Sequence, residues 1–104
     1  MARLRLAQDL MAAGEAVPAR EQVRLLAARS PAPPEAVVLH AWMLACGIGG
    51  PADPGGSAAL VPRLRSLAAD MQDQPEFAGH AAQMASGLAA GTPQPGLECG
   101  GALR

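Results

Sequence analysis

Residues 35–47 read EAVVLHAWMLACG, and after Glu35 the only strongly polar side chain before the closing glycine is His40. Coiled into an α-helix, such a stretch turns apolar side chains outward in every direction, and a helix that is hydrophobic all round belongs in an interior. A chain of 104 residues forms one domain with a modest core, hiding roughly 60–70% of its unfolded surface. Residues 34–47 must therefore act as a hub that other segments enclose.

The rest of the chain supplies further helices. Nothing alternates with the period of two that marks a half-buried strand, so the fold class is all-α, a bundle of about five short helices ending in a helical hairpin. The first helix is expected over 2–13, with Leu4, Ala7, Leu10 and Met11 on one stripe and Gly14 as its stop. The second, over 18–29, buries Ala19, Val23, Leu26 and Ala27 and ends at SPAPP. Pro34 and Glu35 suit the first turn of the hub helix, where a missing N–H costs nothing and an acid meets the positive end of the dipole.

The stretch IGGPADPGGS, residues 48–57, reads as a flexible connector. A fourth helix over 58–72 carries Leu60, Leu64, Leu67 and Met71. A fifth over 74–90 repeats that spacing with Phe77, Ala81, Met84 and Leu88, and two such stripes joined by a tight turn form an antiparallel pair. Residues DQPE at 73–76 fit a capping box with Asp73 as N-cap and Glu76 three residues on. The single domain is expected to span 1–91, with 92–104 a disordered tail rich in Gly and Pro.

Charge and composition remove several classes of function. The formal net charge is −1, which gives no electrostatic footprint for nucleic acid or an anionic membrane. All the basic residues are Arg, so a P-loop or Schiff-base lysine is excluded. Trp42 and Phe77 are the only aromatic residues, too few for a stacking platform. The longest apolar run, Ala36–Ile48, is short of the roughly 20 residues that span a bilayer. Two cysteines do not make a disulfide scaffold, so a reducing cytoplasm is expected.

Side chains with chemical potential are sparse. His40, Cys46, His80 and Cys99 lack metal-ligand spacing, and on a helix His40 and Cys46 diverge by about 120°. No metal, other cofactor or catalytic group is expected. His40 reads as a core or interface histidine bonded to a backbone carbonyl, and Cys46 as a small buried hydrophobe.

The functional expectation follows from a shortage of cover. Short, alanine-rich neighbours hide two or three sides of the hub helix, leaving a ridge drawn from Val38, Leu39, Trp42 and Met43 as an adhesive surface. Trp and Met are enriched at protein interfaces. The sequence thus points to a small interaction module, an adaptor, chaperone-like partner or homodimer, that binds another protein chain or itself. The alternatives are a bundle enclosing a small-molecule or minor enzyme site around His40 and Cys46, and an accessory domain of a larger assembly.

Overall fold

A computed structural model describes residues 2–29 and 32–90 of the chain. The protein is all-α, and among the described residues the order is α1 (Ala2–Ala12), α2 (Ala16–Ala27), α3 (Pro34–Cys46), α4 (Pro54–Ala58), α5 (Val61–Asp70) and α6 (Pro75–Ala90). The expected tail, 92–104, lies outside the described residues.

The first two helices pack on each other across a tight turn. Gly14 has φ +81°; its N–H donates to the Met11 carbonyl at 3.1 Å while the Glu15 N–H reaches back to Leu10 at 2.8 Å. This is the two-bond helix stop that needs a left-handed residue, for which glycine has no Cβ penalty. Helix α3 stops in the same manner at Gly47, φ +68°, with the Ile48 N–H donating to Met43 at 3.0 Å.

Helix α3 is the hub, packed by α2, α4, α5 and α6. Its cover exceeds the expected two or three sides because the connector is not loose. Asp53 caps a one-turn helix, accepting from the Gly56 N–H at 2.9 Å, and Pro54 occupies the first turn where its lack of an N–H is harmless. Ser57 is buried there and its hydroxyl donates to the Pro54 carbonyl at 3.0 Å. The Asp53 N–H bonds the Leu44 carbonyl at 2.7 Å, which ties the segment to the last turn of α3. The expectation of a flexible connector over 48–57 is thus corrected: the segment folds back on α3 and supplies a missing wall.

Helix α2 clamps the other side of this segment. The Arg20 guanidinium donates to the carbonyls of Pro51 at 3.0 Å and Ile48 at 3.4 Å. Gly49, φ +77°, passes so close to α2 that a Cβ there would lie 2.3 Å from the Ala16 carbonyl oxygen. Only glycine permits that approach.

Helices α5 and α6 pack along one another as the expected pair. Their boundaries differ from the sequence reading. Pro62 sits in the first turn of α5, which begins at Val61, so the expected span of 58–72 divides between the end of α4 and α5. Helix α6 begins at Pro75, which places Gln74 rather than Asp73 at the residue before the helix; the Ala78 N–H closes onto the Gln74 carbonyl at 2.9 Å. The main core joins Val38, Ala41, Trp42 and Met43 of α3 with Val61 and Leu64 of α5 and Ala81, Met84, Ala85 and Leu88 of α6.

Candidate functional site

The residues expected to form an exposed ridge on α3 are placed largely inside. Met43 is 0% exposed, and Val38 and Trp42 are each 7% exposed. Only Leu39 is half-buried, wedged between the main core and a small cluster of Leu26 and Ala36. The ridge expectation is corrected for Val38, Trp42 and Met43, because α4, α5 and α6 together close over sides that the sequence reading left open. Among the described residues, the large apolar side chains that do face water, Leu6, Val17 and Leu25, lie on α1 and α2.

Helix α3 is not covered completely: Glu35 is exposed, and Leu39, His40, Ala45 and Cys46 are half-buried. Glu35, Leu39 and Cys46 point within roughly 40° of one another at 100° per residue, but the buried Trp42 points the same way, so exposure follows what packs at each level of the helix rather than direction alone.

Cys46 is disulfide-bonded. The expectation of a reduced, buried thiol is therefore corrected, and with no thiol Cys46 offers neither a nucleophile nor a metal ligand in this state. Its expected partner in a ligand pocket, His40, is half-buried on another side of α3.

The His40 side chain has an unusual setting. Its Nδ1 is buried with no hydrogen-bond partner among the described residues, contrary to the expected bond to a carbonyl. Burial, and then the positive charges of Arg20, Arg24 and Arg63, hold the imidazole below its ordinary pKa. Both causes disfavour the cationic form. Each arginine is itself engaged: Arg20 with the connector, Arg24 with Glu21, and Arg63 with the Ala27 carbonyl at 3.0 Å. The last contact caps the carboxyl end of α2 with a positive charge, where the helix dipole favours it.

A solvent-open cleft of about 310 Å³ lies beside Arg63, lined also by Ala32, Val37, Pro62, Ser66 and Leu67. It is at the small end for a ligand pocket, and His40 does not line it. Among the described residues no three His, Cys, Asp or Glu side chains come together to hold a metal ion. No described helix is long and apolar enough to cross a membrane. No protein-family model matches the chain, and no match was found among curated proteins or solved structures.

Proposed function

We propose that the chain is a small helical protein-interaction module that docks through its first two helices. The observation that supports this reading is the placement of the exposed large apolar side chains among the described residues: Val17 is 68% exposed, Leu6 46% and Leu25 37%, all on the α1–α2 pair. The partner is another protein chain that presents apolar side chains, a second copy of this chain included. Leu39 is the residue of the expected α3 surface that retains access to solvent.

Light scattering on a sizing column from micromolar to millimolar concentration tests the self-association form. Photo-crosslinking from position 25 in the cells that make the protein tests the other. A dimer or a discrete adduct that is lost in a Leu6→Gln/Val17→Gln variant is the expected result. A monomer at every concentration with no adduct overturns the reading.

A second reading, a small-ligand site at His40, has one observation in its favour: a buried ring nitrogen without a partner, which is rare in folded proteins. A ligand that donates a hydrogen bond to Nδ1 would raise the melting temperature without changing the mass of the particle.

A further inference from the structure

The exposed residues of α2 and its carboxyl cap share one arc. Val17, Pro18, Glu21, Arg24, Leu25 and Ala28 are exposed, and at 100° per residue they fall within about 120° of one another. The other side of the helix, with Ala19, Val23, Leu26 and Ala27, is buried. Four of the six exposed residues are apolar, and the two charged ones stand in the middle of the row. Glu21 and Arg24 pair within the helix, the guanidinium donating to the carboxylate from Nε at 3.0 Å and from Nη2. About half of each side chain still faces water, and the pairing uses only part of their donors and lone pairs. Arg20, the other charge in the middle of α2, is taken by the connector carbonyls.

We propose that α2 docks antiparallel on α2 of a second copy of this chain, about a two-fold axis between residues 22 and 23, with Glu21 of each chain against Arg24 of the partner subunit. This deepens the interaction reading above, on which it rests, by committing it to self-association through one helix. The order of residues carries the inference. A two-fold axis that sets one residue opposite another also sets the second opposite the first. With the axis between 22 and 23, the contact of Glu21 with the partner's Arg24 is therefore made twice. Val17 falls opposite the partner's Ala28, and Leu25 falls about 3 Å from the level of the partner's Pro18, on the same flank. Opposite charges meet at the centre and apolar groups meet at both ends. At the 8–10 Å separation of packed helices the two long side chains reach across. A parallel pairing would instead set Glu21 beside Glu21 and Arg24 beside Arg24. The contact is one helix of 12 residues, smaller than a permanent interface, so association is expected above roughly 10 μM rather than at nanomolar concentration.

Sedimentation equilibrium of the full chain tests the pairing, from micromolar to millimolar concentration in low-salt buffer, with protein that runs as a monomer on a non-reducing gel. The wild-type chain should approach the mass of a dimer. Glu21→Arg and Arg24→Glu should each dimerise at least tenfold more weakly, because four like charges then gather at the axis. An equimolar mixture of these two variants should regain the wild-type affinity, since each chain offers the charges that the other lacks. Glu21→Arg/Arg24→Glu should regain it alone. Loss of the pair within the helix does not give this pattern, because both single variants lack that pair and mixing does not restore it. Single variants that dimerise like the wild type overturn the inference, as do single variants that neither the mixture nor the double exchange rescues. A wild-type monomer at every concentration also overturns it, while a discrete adduct from position 25 to a different protein would leave the broader interaction reading standing.

Discussion

The guanidinium of Arg20, in the second turn of α2, donates to the carbonyl of Pro51 at 3.0 Å, across 31 residues of chain. Together with the close pass of Gly49 against Ala16, this contact fixes the connector that carries α4 onto the hub helix. A segment of glycine and proline is ordered here by groups on another helix.

Changing Gly49 should therefore cost more than a loop glycine normally does. In Gly49→Ala the new Cβ meets backbone at 2.3 Å and the φ of +77° is unfavourable as well, so the connector must move away from α2. We expect a loss of about 2–4 kcal/mol in urea unfolding. Arg20→Met, which keeps the stem but removes the donors, should lose about 1 kcal/mol. Faster amide exchange at residues 48–57 in both variants checks that the connector is the part released; unchanged exchange there would refute the clamp.

Trp42 and Leu39 are expected to separate core from surface. Trp42 is 7% exposed, and truncation to Ala should cost about 3–5 kcal/mol, a large share of the stability of a small domain. Leu39→Ala, at a half-buried position, should cost about 1–2 kcal/mol. Equilibrium denaturation of the two variants makes the comparison. A Trp42→Ala protein of native stability would mean that the ring is not in the core.

Two glycines respond in opposite directions to the same substitution. A Cβ at Gly79, inside α6, meets nothing within 4 Å, so Gly79→Ala should stabilise by about 0.5–1 kcal/mol through helix propensity and a less flexible unfolded chain. A Cβ at Gly14 also meets open space, but the residue has φ +81°. Gly14→Ala should destabilise by about 1 kcal/mol. Thermal unfolding of both proteins tests the sign, which is set by backbone angle rather than by room.

The pH dependence should carry the mark of His40. Its pKa in the folded protein is below the ordinary imidazole value because burial, then Arg20, Arg24 and Arg63, oppose the cation. Between that lowered value and about 6.5 the unfolded chain binds the proton and the folded chain does not. Stability contributed by neutral His40 is thus full above about pH 6.5 and declines as pH falls through this window toward the folded pKa. His40→Gln should flatten that part of the stability curve, and an unchanged slope would assign the acid sensitivity to another group.

The helices themselves were legible in the sequence, because apolar spacing and the positions of Pro and Gly act locally. Gly14 and Gly47 stop helices where they were expected to, and of the stripe Leu60, Leu64, Leu67 and Met71 the first three pack on the core, although Val61, which is also buried, stood outside it. Asp53 was also readable in principle as an N-cap before Pro54, a signal hidden by the glycines that follow. The candidate site was less legible. Which side of α3 stays wet depends on Arg20, Gly49 and Asp53 acting together to draw α4 against the hub, and those contacts join residues far apart in the chain.

Sequence by itself determined that residues 34–46 form a helix too apolar for solvent and that other helices would gather around it, since hydrophobic burial follows composition and period. Tertiary structure alone decided which of its apolar residues were covered. Val38, Trp42 and Met43 went inside and Leu39 stayed at the edge, because cover is a property of where neighbouring backbones run, and no single helix encodes the path of another.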